Sequence, residues 1–222
     1  MSAAGSGAPT PNDQLVAIVA AIDRRLADAN RARETALPAC RRAIRAAGSS
    51  IRAVHRRDPA AAAALADECE AAVREAQQVL EPFPAVAQAG FLHDAEKEYV
   101  EARSVAQLVD GAPLPGPDEL RVGPTAWMRG VAEAASELRR HLLDRLREGD
   151  VERGEALLAA MEDVYGSLVV VDYPDALTNG LRRTLDALRA VLERSRGDVT
   201  TTVLQTRLQR TIAHASGQDG EA

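Results

Sequence analysis

Acidic residues recur at helical spacing in two segments of this 222-residue chain. In FLHDAEKEYVEARSV, Asp94, Glu98 and Glu101 stand at i, i+4 and i+7, and about 100° per residue puts them on one helix face. Phe91, Ala102 and Val105 share that face, so Glu98 points where the helix should be buried. Carboxylates held together and stripped of water are costly unless a cation compensates, either a divalent metal or an arginine from another helix. A second pair, Glu133 and Glu137, stands at i, i+4 with His141 one turn further, flanked by the small residues Gly130 and Ala134. Two carboxylates from each of two helices would form an oxygen-rich site suited to Mg²⁺ or Mn²⁺ rather than zinc. Solvated glutamates and ordinary salt bridges satisfy the same spacing.

A second constellation is basic. Eight arginines and one acid, Glu34, lie between Arg31 and Arg57. Arg41, Arg45, Arg52 and Arg56 fall within about 60° of one another on a helical wheel, with Arg42 and Arg57 beside them. Leu37, Cys40, Ile44, Ile51 and Val54 form the adjoining apolar side. Arginine suits phosphate because its planar fork donates two parallel hydrogen bonds. Pairing with acids on neighbouring helices is the alternative use of the same residues. The chain as a whole is acidic, with 33 Asp+Glu against 27 Lys+Arg and a net charge of −6, so nucleic-acid binding requires a local patch of this kind. Lys97 is the only lysine.

Other chemistries are excluded by the absence of their motifs. The chain has no GxxxxGK[ST], HExxH or GxSxG, and GSG at residues 5–7 follows no strand. None of His55, His93, His141 and His214 sits three residues after a glutamate, which removes the Glu-x-x-His pair of di-iron bundles. Cys40 and Cys69 form no CxxC or zinc spacing and are expected to be buried thiols of an intracellular, cytoplasmic protein. No apolar run approaches the roughly 20 residues of a membrane span.

The elements that must position these groups are helices. Aromatics are only 3% of the chain, while Ala, Leu, Arg and Glu dominate, a composition that disfavours sheets. Proline and glycine breaks predict helices over about 13–36, 37–57, 59–80, 85–109, 125–147, 151–171 and 176–196, with a short last helix over 198–213. Residues 1–12 read as a disordered tail, 13–213 as one all-α domain of about seven helices, and 214–222 as a polar tail.

Several segments resemble the translin and translin-associated factor X (TRAX) family, closest to archaeal TRAX-like members. KEYVEA at 97–102 is similar to the family's QEYVEA, and VGPTAWMRGVAEAASELRR at 122–140 to its VTPxDYLLGVADLTGEL segment. Ile51, His55 and Arg56 repeat a family spacing, and DYPDALTNGLRRTLDALRAVLERSRGDVT at 172–200 resembles the last long helix of the archaeal forms. The resemblance implies a seven-helix bundle that forms homo-octamers, binds single-stranded RNA or DNA and, in TRAX, cuts RNA with a carboxylate-held metal. By position the TRAX acids fall on Glu98, Glu101, Glu133 and Glu137, with Glu133 standing where the family has Asp. The expected function is therefore Mg²⁺-dependent endoribonuclease action on single-stranded RNA, with a non-catalytic nucleic-acid-binding oligomer as the alternative. Arg41, Arg42, Arg45, Arg52, Arg56 and Arg57 are the expected nucleic-acid contacts.

Overall fold

Six long helices carry the structure, a computed structural model that describes residues 10–218. They are α1 (Pro11–His55), α2 (Pro59–Leu80), α4 (Phe91–Asp110), α5 (Pro124–Arg147), α6 (Val151–Leu168) and α8 (Leu181–Gln218). Two single turns, α3 (Pro84–Ala87) and α7 (Asp175–Thr178), bring the total among the described residues to eight helices, with no strand. The all-α bundle expected from composition is what forms. None of these helices is long and apolar enough to cross a membrane.

The helix ends follow local chemistry. Thr10 and Asp13 close a capping box at the start of α1, two residues before the expected onset. Asp58 accepts from the Ala61 amide at 3.0 Å to start α2, and Asp150 accepts from Arg153 at 3.1 Å to start α6. Gly90, at φ 98, ends the expected 85–109 helix early and leaves α3 as a separate turn.

Two expected breaks do not occur. The segments 13–36 and 37–57 form one continuous α1 that runs through Pro38. Pro38 and Glu34 both lie on the exposed side, so the carbonyl that loses its helical partner faces water. Likewise the expected helices over 176–196 and 198–213 join through Gly197 into α8, which starts only at Leu181, after α7 and the positive-φ pair Asn179 and Gly180, and continues into the expected polar tail as far as Gln218. Arg139 on α5 clamps that stretch, donating to Ser195 Oγ at 3.1 Å and pairing with Asp198 at 2.8 Å. This tertiary anchoring outweighs the roughly 1 kcal/mol helix penalty of a glycine. Residues 1–9 and 219–222 of the expected tails lie outside the described residues.

The core is built largely from alanine. α1 buries Ala36, Ala39, Cys40, Ala43 and Ala47, and α2 buries Ala62, Cys69, Val73 and Ala76 within the same cluster. Burial pushes the Cys40 thiol up to about 11 and Cys69 up to about 12, so both are inert at neutral pH. The long loop between α4 and α5 is pinned rather than loose. Arg74 donates to the Leu120 and Arg121 carbonyls, and Trp127 Nε1 donates to Pro115 at 2.8 Å.

The closest approach that matters for the site is α5 on α4. A β-carbon at Gly130 would lie 2.6 Å from the Lys97 carbonyl oxygen and 2.7 Å from Val100 Cβ, whereas one at Gly166 in α6 would meet nothing within 4 Å. Gly130→Ala is therefore expected to lower unfolding stability by about 1–3 kcal/mol through overpacking. Gly166→Ala should raise it by about 0.5–1 kcal/mol through helix propensity. Urea denaturation of the two variants checks both signs.

Candidate metal centre and basic face

The Gly130 contact brings the acidic faces of α4 and α5 together. Glu98, Glu101 and Glu133 each offer a carboxylate oxygen, and these oxygens all lie within 4.8 Å of one another. Asp94, the first acid of the α4 series, is exposed and stays outside this group. Glu101 is 8% exposed and makes no hydrogen bond or ion pair with any described residue. Burial first, and then the neighbouring charges of Glu98 and Glu133, push its carboxyl up to about 8.

Two cations answer this charge. Lys97, 8% exposed, donates to Glu98 Oε1 at 2.9 Å and also to Glu133 Oε2, bridging the two helices. Those two bonds hold its ammonium in the charged form against the cost of burial. Arg129 stands at the rim, 3.7 Å from Glu133 and 3.3 Å from His93 Nε2. The chain's single lysine, flanked by Glu96 and Glu98, is visible in the sequence, but its bond to Glu133 depends on how α5 docks on α4.

Glu137 takes a different partner. Its Oε2 lies 2.9 Å from His55 Nε2, and His55 Nδ1 lies 3.0 Å from His141 Nε2. A carboxylate only accepts, so His55 Nε2 carries a proton and donates to Glu137, while His55 Nδ1 and His141 Nε2 share one hydrogen bond whose direction the tautomers set. Burial and the neighbouring His55 push His141 down to about 4, which keeps it neutral. Glu137 thus flanks the cluster, close enough to raise the Glu101 carboxyl, while tied to α1. His141, expected beside the acids, serves this chain instead.

The donor set fits a hard divalent cation. It comprises three carboxylates on two helices, one of them buried and unpartnered, with no sulfur or imidazole in the group.

On α1, the basic face divides. Arg42 pairs with Glu75 and Arg57 with Glu148. Arg41, Arg45 and Arg56 are exposed with no acidic partner among the described residues, and Arg52 bonds only Ser49 Oγ, at 2.9 Å. Arg52 and Arg56 lie within one turn of His55, so the free arginines run up to the helix position that contacts Glu137.

The all-α bundle that carries these two surfaces is shared with solved structures. AfC3PO, in a structure of its complex with duplex RNA, is 30% identical to this chain. The match covers 84% of this chain and 97% of AfC3PO at a TM-score of 0.69. The chain belongs to the translin/TRAX family. Apo-NeC3PO has the same fold at a TM-score of 0.74 and 18% identity, over 88% of this chain and 100% of that one. An uncharacterized protein of Methanocaldococcus jannaschii is 28% identical over 189 residues, covering 83% of this chain and 82% of that protein. No family model matches the chain.

Glu101 gives the site a pH signature. Its carboxyl ionises near 4.5 when unfolded but near 8 when folded, so the native state holds the extra proton between those values. Its contribution is fully present below 4.5 and is lost as pH rises through about 8. In metal-free buffer, Glu101→Gln should therefore be more stable than wild type at about pH 8.5, by on the order of 2–4 kcal/mol, with the gap closing toward pH 5. Denaturant melts across that range test it, and a gap independent of pH would contradict it.

Proposed function

We propose that this chain binds RNA along the arginine face of α1 and cuts single-stranded RNA at the α4–α5 carboxylate cluster, with Mg²⁺ or Mn²⁺ as cofactor. The observation that carries this reading is the convergence of Glu98, Glu101 and Glu133 within 4.8 Å, with Glu101 buried and unpartnered. The AfC3PO complex with duplex RNA supports the RNA part of the reading. In this proposal Glu98, Glu101 and Glu133 hold the metal, and Glu137, oriented by His55, stands beside them as a fourth carboxylate able to ligate or accept a proton. A metal at such a site supplies activation of a water nucleophile and neutralisation of charge on the phosphate. The free arginines hold the RNA backbone and run toward the acids. DNA single strands fit the same face, since phosphate contacts do not read the sugar.

A specific observation favours a second reading, a non-catalytic RNA-binding protein. Lys97 already joins Glu98 to Glu133, so the acids have a cation without any metal.

One set of assays separates the two. Glu98→Gln and Glu101→Gln should abolish Mg²⁺-dependent cleavage of single-stranded RNA while leaving its binding intact, or slightly tighter for Glu98→Gln, which removes a negative charge beside the RNA. Wild type that binds but never cleaves, with either metal and on either single-stranded or duplex RNA, selects the second reading. Neutralising about four phosphates, one per free arginine, gives a log–log salt slope near −3 for single strands. Arg45→Ala/Arg52→Ala should flatten it toward about −1.5; unchanged affinity and slope would remove the face from the proposal.

The octamer belongs to the same proposal. Leu15, Ile18, Val19, Ile22 and Leu26 line one side of the N-terminal half of α1 and are each about half exposed or more, as are Leu204 and Leu208 on α8. A contiguous apolar stripe of this kind is a surface that a second copy would cover. Ile18→Glu/Ile22→Glu should break the assembly in light scattering, and a wild-type monomer at micromolar concentration would overturn it.

A further inference from the structure

The acidic cluster contains its own cation. Lys97 is the single lysine among 27 Lys+Arg, and among the described residues it is the one basic side chain that bridges the facing acids of α4 and α5. Its Nζ uses Glu98 Oε1, at 2.9 Å, and Glu133 Oε2. These belong to two of the three carboxylates that converge for a metal. Glu101, the third, receives no hydrogen bond from it and remains buried without a hydrogen-bonding partner for its side chain among the described residues.

The backbone beneath Lys97 is held in place, because its carbonyl is packed against Gly130 at a distance that excludes even a β-carbon, so any displacement falls to the side chain. It is a flexible four-carbon stem ending in a compact charge, whereas an arginine at the same point would lock both acids in a planar fork. A divalent ion ligated by Glu98 and Glu133 would meet the ammonium at close range, and two cations cannot share those oxygens without strong repulsion.

We propose that Lys97 is a displaceable internal counter-cation: its ammonium and a divalent metal exclude one another at Glu98 and Glu133, so Lys97 sets how tightly the cluster takes metal. The metal-free protein is thereby protected from two facing uncompensated carboxylates, and metal is admitted only when the ammonium swings out. This rests on the reading of the cluster as a metal site, and the test distinguishes failure of either.

Because the 222-residue chain has one lysine, ε-labelled lysine gives a single side-chain NMR signal in the wild-type chain. Mg²⁺ is titrated while that signal is followed, and Mg²⁺ binding to wild type, Lys97→Gln and Lys97→Arg is measured by calorimetry. The expected result has two parts: the lysine signal moves with Mg²⁺ saturation, and Lys97→Gln binds Mg²⁺ on the order of tenfold tighter than wild type while Lys97→Arg binds more weakly. Mg²⁺ binding to wild type with a stationary lysine signal overturns the inference and leaves the metal site standing. Equal or weaker binding by a folded Lys97→Gln does the same. Absence of binding by both wild type and Lys97→Gln at millimolar Mg²⁺ overturns the inference and the metal reading together. If Lys97→Gln folds only when Mg²⁺ is present, the ion has replaced the missing ammonium and the inference is supported.

Discussion

Where Gly130 lets α5 close on α4, the carboxylates of Glu98, Glu101 and Glu133 are forced within 4.8 Å of one another. Crowding three acids beside a helix contact is unfavourable, and several features of the surrounding structure offset it. Lys97 bridges two of the acids, Glu101 is driven toward its neutral form, and Arg129 sits at the rim of Glu133. The small residues that allow the approach are the same ones that concentrate the charge. Packing and electrostatics at this contact are therefore one design, because widening the gap would relax the acids and loosen the helices together.

The remaining helices hold that contact in register. α1 reaches the flank of the site through His55, whose ring joins Glu137 to His141, and α8 fixes α5 from the other side through Arg139. α2 braces α4 through Glu70, which accepts from Tyr99 at 2.7 Å and Arg103 at 2.9 Å. The acidic groove and the basic face thus share α1 as a common rail, with free arginines leading to the helix position next to the carboxylates. A polyanion drawn to the arginines would be repelled by bare acids, so under the proposed function a cation in the cluster, ammonium or metal, would let the two surfaces serve one ligand.

Much of this was legible in the residues. The alanine-rich, aromatic-poor composition and the Asp-Pro and Glu-Gly breaks located α2, α5 and α6 closely, and the i, i+4 glutamates marked the two facing helices. Pro38 and Gly197 misled because their effect depends on context that sequence does not carry. Pro38 loses its bond on the solvent side, and Gly197 is bracketed by contacts from α5. Lys97 and His55 were missed as parts of the site for a related reason. Helical spacing says which residues share a face of one helix, but a partner on another helix, such as Lys97 to Glu133 or His55 to Glu137, is fixed only by how the helices dock. The division of the arginine stripe into paired and free members has the same origin.

As proposed, the α4–α5 cluster is a cation site occupied by turns by an ammonium and a divalent metal. Its most direct test is a crystal structure of the protein soaked in Mn²⁺, with anomalous scattering used to place the ion. The account predicts one Mn²⁺ ligated by Glu98, Glu101 and Glu133, with the Lys97 ammonium turned away from Glu98 and Glu133. Manganese bound elsewhere, with Lys97 still joined to both acids, would contradict it.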